Sequence, residues 1–229
     1  MCGRYALSTP ADILSAIFDI PIPSPYHPRY NIAPTQDTLI ICAGTDGRAA
    51  IMARWGFIPS WRTADQKGPE PINARCESAT TSRFFAQPLR RQRCVVPASG
   101  FYEWQKVPGA KHKRAYLAQS PDGSVLALAG VWSSRPTRGG TSIESFAILT
   151  CAPNASMKPI HDRMPLILPA DAIDAWLDPG TDDVGTITQM LIVPPPSSIS
   201  IREVSTWVNS TSHDDPRCIE PIRDANTLF

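Results

Sequence analysis

Eight short runs of β-type residues constrain this chain most: 38–42, 49–55, 94–97, 114–118, 124–132, 145–151, 166–168 and 199–204. Glycine, proline and Asp-Gly turns punctuate them, which is the signature of antiparallel strands joined by tight connections. Helical spacing recurs in only four places. Ile13, Leu14, Ile17 and Phe18 repeat at helical intervals over 11–20, with Thr9 as N-cap and Pro10 at the first helical position. Similar patterns occur over 77–85, 170–177 and 183–191. Strands in runs with scattered helices predict an α+β fold, one domain over 1–229, with a curved, barrel-like, mostly antiparallel sheet.

The stretch from Pro21 to Pro28 holds four prolines in eight residues, so it reads as a wrapped loop. The Pro194-Pro195-Pro196 run is too short for a linker and belongs to a loop within the domain. No run nears the roughly 20 apolar residues that cross a bilayer, and 11–20 is an amphipathic pattern, not a signal peptide. The six cysteines form no C-x-x-C pair and no metal-ligand spacing with the four histidines. They read as small buried apolar residues of a reducing, cytoplasmic compartment, with neither cofactor nor metal. A net charge of +1 gives no global basic field, so a nucleic-acid partner must be met by a local patch.

Five stretches concentrate chemical side chains. Met1-Cys2-Gly3-Arg4 comes first. Loss of Met1 would leave Cys2 with a free α-amine beside its thiol, two groups that titrate near pH 8 to 8.5. Such a 1,2-aminothiol condenses with an aldehyde and closes a thiazolidine ring, or serves as a nucleophile with its own amine as base. In 55–61 two tryptophans flank a Gly-Pro turn; Trp55, at a strand end, reads as core, whereas Trp61 lies in a polar loop and suits stacking. In 72–84, Asn73 offers a donor and an acceptor, while Arg75 and Arg83 have the forked donors that clamp phosphates; a solvated arginine pair is the plain alternative. Glu103 lies between Tyr102 and Trp104. Facing an apolar pocket, it would be pushed up towards the proton-transfer range; simple strand alternation would instead point it outward. His161 sits beside Asp162 and Arg163, while His27, His112 and His213 lie in loops and read as bystanders.

Together, Met1-Cys2-Gly3-Arg4-Tyr5, Arg29-Tyr30-Asn31-Ile32-Ala33-Pro34, Trp55-Gly56-x-x-Pro59-x-Trp61, Ile72-Asn73-Ala74-Arg75-x-Glu77, Gly100-Phe101-Tyr102-Glu103-Trp104 and Ile160-His161-Asp162-Arg163-Met164-Pro165 resemble the SRAP family. These SOS-response-associated peptidase-like proteins shield abasic sites in single-stranded DNA. The resemblance spans nearly the whole chain, with the motifs in order. It implies removal of Met1 and a thiazolidine between Cys2 and the ring-opened sugar. Asn73 would position Cys2, with Glu103 and His161 handling protons. Arg4, Arg75, Arg83 and Arg163 would hold phosphates, with Trp61 stacking on a base. It also implies self-processing peptidase activity, an associated AP lyase activity, and a monomer working at the nucleoid without membrane contact. One departure stands out: many relatives carry two adjacent aromatics where Trp61 is here followed by Arg62. The competing readings are an N-terminal-nucleophile amidohydrolase, such as a glutamine amidotransferase, a non-covalent single-strand binder and a general protease. For the first, no Asn-Gly dipeptide supplies an oxyanion hole. For the last, no Cys-His-Asn or Ser-His-Asp pattern stands out.

Overall fold

The computed structural model describes residues 2–44, 47–63, 65–137 and 139–222. In chain order, β1 (Tyr5–Leu7), α1 (Ala11–Phe18) and β2 (Arg29–Ile32) lead into the long hairpin β3 (Asp37–Gly44) and β4 (Gly47–Trp55). There follow β5 (Asn73–Arg75), α2 (Cys76–Ala79), α3 (Ala86–Arg91), β6 (Arg93–Ala98) and β7 (Gly100–Gln105). After these come β8 (Arg114–Gln119), β9 (Leu126–Pro136) and β10 (Ser142–Cys151). The short pairs β11 (Met164–Pro165) and β12 (Ile167–Leu168), helices α4 (Ile173–Leu177) and α5 (Val184–Met190), and β13 (Ser200–Glu203) complete the set.

Five strands close on themselves in the order β4-β3-β6-β9-β10 and back to β4. Every contact in the ring is antiparallel except the β10–β4 closure, where Ser145 pairs with Arg54 and Phe146 with Trp55. Leu39, Ile40 and Ile41 are successive and all buried, as are Val95 and Val96, so the barrel wall is covered on both faces. A second, antiparallel sheet runs β13-β8-β7-β1-β2. The α+β, barrel-like expectation therefore holds, and the prolines at 21–28 and 194–196 lie outside strands and α-helices as expected.

The two sheets are joined by aromatic packing. The Tyr5 ring meets Trp55 edge-on at 5.2 Å, and Trp55 stacks over Phe146 at 6.3 Å. Tyr5 also donates its hydroxyl to Thr38 on β3 at 3.1 Å. Trp55 is fully buried, so its reading as core was right. Its indole N–H donates to the Ile72 carbonyl at 2.9 Å, which satisfies a buried donor and fixes the residue ahead of Asn73.

Three local expectations need correction. Pro10 itself is the residue before α1, and the Thr9 hydroxyl is engaged with Ser99 Oγ at 3.0 Å instead of capping the helix. Of the apolar set on α1 only Leu14 and Phe18 are buried; Ile13 and Ile17 face outward. The helix expected over 77–85 stops at Ala79 as α2, and the next helix, α3, begins only at Ala86, past the expected stretch. Between them, Thr81 Oγ1 donates to the Ser78 carbonyl and Ser82 Oγ accepts from the Phe84 N–H. These hydroxyls compete with the helical ladder and break it.

Candidate active site

The seam between the two sheets gathers the chemistry. β5 lies parallel to β10, with Asn73 opposite Ile148, Ala74 opposite Leu149 and Arg75 opposite Thr150. Across the seam, β1 pairs with β7 through Tyr5 and Phe101, and the Tyr102 N–H donates to the Arg4 carbonyl at 2.9 Å. The amino end thus runs beside the stretch of β7 that carries Glu103. Gly100 permits this packing: a Cβ there would lie 2.8 Å from the Ala118 carbonyl oxygen. Any side chain would force β7 away from β8.

Asn73 reaches over the seam and donates its Nδ2 to the Cys2 carbonyl at 2.8 Å. Its Oδ1 is buried without a hydrogen-bond partner among the described residues. An acceptor left this way is costly, on the order of 1–3 kcal/mol. Cys2 is fully buried, and burial first, then the nearby Glu103 carboxylate, push its thiol far above the ordinary range. In this state the sulfur is a neutral thiol, not a standing thiolate.

Glu103 is 3% exposed, between buried Phe101 and Tyr102 on one side and half-buried Trp104 on the other. Strand alternation does not carry it into solvent, because both faces of β7 are covered here. Burial pushes its carboxyl up to about 7, with Asp162 adding to the rise. Its Oε2 lies 3.7 Å from His161 Nε2. His161 is lowered from its ordinary value, chiefly by burial. Both members of the pair are therefore driven towards neutrality.

The ring of His161 is oriented by its own turn. Its Nδ1 accepts the Arg163 backbone N–H at 3.0 Å and lies 2.9 Å from Asp162 Oδ1. The neutral ring thus carries its hydrogen on Nε2, towards Glu103, and the protonated ring has a carboxylate at Nδ1. Arg163 is in turn clamped by Glu77 through two bonds, Nη1 to Oε1 at 2.7 Å and Nη2 to Oε2 at 2.9 Å, and also donates to the Thr150 carbonyl. That fork holds the Glu77 carboxyl below its usual range.

The other expected residues are placed as follows. Arg75 and Arg83 are exposed, and the Arg83 guanidinium lies 5.2 Å over the Phe84 ring. Trp61 is 58% exposed and tilts against Phe84 with centroids 6.1 Å apart. Arg62 is buried and donates to the Gly68 and Pro69 carbonyls, so it braces its loop. Arg4 donates Nη1 to Asn31 Oδ1 at 2.8 Å and to the Val208 carbonyl at 2.9 Å, with its guanidinium 5.6 Å from the Trp104 ring centre. Cys2, Asn73, Glu103 and His161 therefore meet at one seam, with Arg163 tied to the His161 turn. Arg4 is held by the scaffold, and Trp61, Arg83 and Arg75 lie on exposed surface.

Two residues went unread in the sequence. Glu77 stands in the Arg75-x-Glu77 spacing but shows its partner only when the turn at 163 folds over α2. Phe84 supplies an aromatic beside Trp61 from a segment more than twenty residues away.

The family model for SRAP, SOS response associated peptidase, matches residues 1–211. The chain belongs to the SRAP family. Among SRAP relatives, the abasic site processing protein YoqW of Bacillus subtilis is 35% identical over 224 residues, covering 96% of this chain and 99% of the relative. The abasic site processing protein HMCES of Gallus gallus is 31% identical, over 86% of this chain and 67% of its own length. The SRAP fold also matches a solved structure from Bacteroides thetaiotaomicron with a TM-score of 0.85 at 21% identity, covering 96% of this chain and 99% of that one. No described helix is long and apolar enough to cross a membrane.

Proposed function

We propose that this SRAP chain processes abasic sites in single-stranded DNA by covalent capture at Cys2, within one working domain over 1–229. Removal of Met1, by the chain's own peptidase activity, frees the Cys2 amine. The amine adds to the aldehyde of the ring-opened sugar and loses water to give an imine. The Cys2 sulfur then bonds to the imine carbon, its proton passes to nitrogen, and the five-membered thiazolidine closes. A buried, neutral thiol suits this order, because attack on an imine needs no free thiolate in advance.

Asn73 aligns Cys2 through the carbonyl bond and offers its unpaired Oδ1 to a sugar hydroxyl or to the new amine. Glu103 protonates the ring oxygen as the sugar opens, and the Glu103–His161 pair carries the protons of imine formation and reversal. The same imine is the branch point for an AP lyase activity. Arg75 and Arg83 contact phosphates, Arg4 and Arg163 add positive charge from pinned positions, and Trp61, backed by Phe84, stacks on an unpaired base for about 1–3 kcal/mol.

The observation that carries this reading is the Asn73–Cys2 bond, 2.8 Å long, beside a Glu103–His161 pair poised near neutrality. The test is intact mass. The purified chain should lack Met1, and incubation with an abasic oligonucleotide should add the mass of one oligonucleotide less water in a form that survives denaturation. A processed chain that adds no mass would overturn it. Ammonia release from glutamine would point instead to an N-terminal-nucleophile amidohydrolase.

A further inference from the structure

Positive charge on this molecule divides into two kinds. Most arginines are committed to internal partners: Arg29 to Asp214 and Gln36, Arg48 to Asp174, Arg54 to Glu70, Arg93 to four carbonyls, Arg217 to Asp215. The lysines are not. The sequence has five, and four of them are Lys106, Lys111, Lys113 and Lys158. The first three lie in the β7–β8 hairpin, Lys106-Val107-Pro108-Gly109-Ala110-Lys111-His112-Lys113, which contains no acidic residue. All four lysines are exposed, and no described residue forms a salt bridge or side-chain hydrogen bond with them.

The fold brings these separate segments together. β7 enters the hairpin at Gln105, two residues beyond Glu103, and β8 leaves it at Arg114, the cross-strand partner of Gln105. Gln105 Nε2 donates to the Pro159 carbonyl at 2.9 Å, which ties the hairpin base to the turn carrying Lys158 and His161. Lys113 is close enough that its charge is felt at both Glu103 and His161. The acids nearby are Asp162, at His161, and Glu203, 3.8 Å from Arg114. A net charge of +1 makes such a gathering of uncommitted cations local in origin.

We propose that the β7–β8 hairpin and Lys158 form a second phosphate-binding surface, which holds the strand on the flank of the site away from Arg75 and Arg83. The hairpin extends from the second sheet, Lys158 sits in the β10–β11 connection tied to it by Gln105, and Arg75 lies on β5 with Asn73, whose bond to Cys2 spans the seam. A strand crossing that seam meets Arg75 and Arg83 on the β5 side and the lysines on the β7 side. Flexible ammonium groups fit a backbone of variable path, whereas forked arginines fix the register beside the reacting sugar. The inference rests on reading the seam as a single-stranded DNA site.

The experiment uses oligonucleotides with a stable tetrahydrofuran abasic analogue, which binds without crosslinking, extended on the 5′ flank or the 3′ flank alone. For the native chain, lengthening either flank should tighten binding. The Lys111→Ala/Lys113→Ala variant should lose the gain from one flank, roughly tenfold, and lower the salt slope by about 1.4, since each phosphate contact on a single strand contributes about 0.7. Arg75→Ala should lose the gain from the other flank. A lysine variant matching the native chain on both flanks, or weakened equally on both, overturns the proposal. Adduct formation on a short, true abasic oligonucleotide is read separately: its absence would sink covalent capture and leave the flank measurement standing.

Discussion

Arg93 and Glu103 are both ionisable side chains buried to 3% exposure, and the molecule treats them in opposite ways. Arg93, at the start of β6, donates to the carbonyls of Leu89, Arg90, Trp176 and Asp178 and lies 5.6 Å from the Trp176 ring centre. It ties α3 and α4 to the barrel, and its charge has nothing left to do. Glu103 faces a histidine that is itself driven towards neutrality, and burial has moved its carboxyl up to about 7. Saturation with fixed partners makes a buried charge a brace. Pairing with a titratable partner is what suits Glu103 to the proposed part of reagent.

Replacing Cys2 gives the sharpest break between the two regions. Cys2→Ala should abolish the denaturation-resistant adduct on abasic single strands, read on a denaturing gel, while thermal unfolding stays near native. Glu103→Gln should come next, slowing adduct formation or its reversal by about 10²-fold, the usual reach of a general acid–base group. It should also change stability with pH. A carboxyl raised from 4.5 in the unfolded chain to about 7 in the fold favours folding fully below pH 4.5. That contribution is lost as pH climbs through 7, so urea unfolding should show the native chain weakening over this window. The glutamine variant should be flatter.

Arg93→Ala should behave in the reverse sense. Four carbonyls lose their donor, so unfolding free energy should fall by about 3 kcal/mol while the crosslinking rate of the folded fraction holds. A slowed rate without lost stability would erase the distinction between brace and reagent. A smaller effect is expected at Glu77. Glu77→Gln keeps an acceptor for Arg163 but drops the charge, so the turn that presents His161 should loosen and the rate fall by about tenfold. Ring-nitrogen NMR of His161, recorded without DNA, should show a changed tautomer ratio; an unchanged spectrum would detach Glu77 from the site. Smallest of all, Arg75→Ala should weaken binding to intact single strands a few-fold and reduce the salt slope by about 0.7.

The same contrast governs what the sequence disclosed. Long strands such as β3, β4, β9 and β10 could be read because runs of β-branched and apolar residues persist across them. β1, β5 and β11 are two or three residues long and exist because neighbouring strands offer free edges, which no local pattern announces. Trp55 at a strand end and Glu103 amid aromatics both carried enough local chemistry to be singled out. The division at 80–85 turned on hydroxyls that choose backbone partners only in the folded chain. Arg163 was expected among the phosphate-holding arginines, and only the folded turn shows its fork already filled by Glu77. The lysines were invisible as a group because Lys158 lies 45 residues beyond Lys113 and joins it through a single Gln105 bond.

The neck of the His161 loop carries a final consequence. β10 leaves at Cys151 and the chain returns as β11, with Thr150 opposite Pro165 and Cys151 opposite Met164. The segment 152–163 is therefore a cassette stitched shut at its base. Its interior is anchored too, by Met157 in the core and by Asn154, which donates to the Pro194 and Pro195 carbonyls, so a change of length here would be felt directly at the His161 ring.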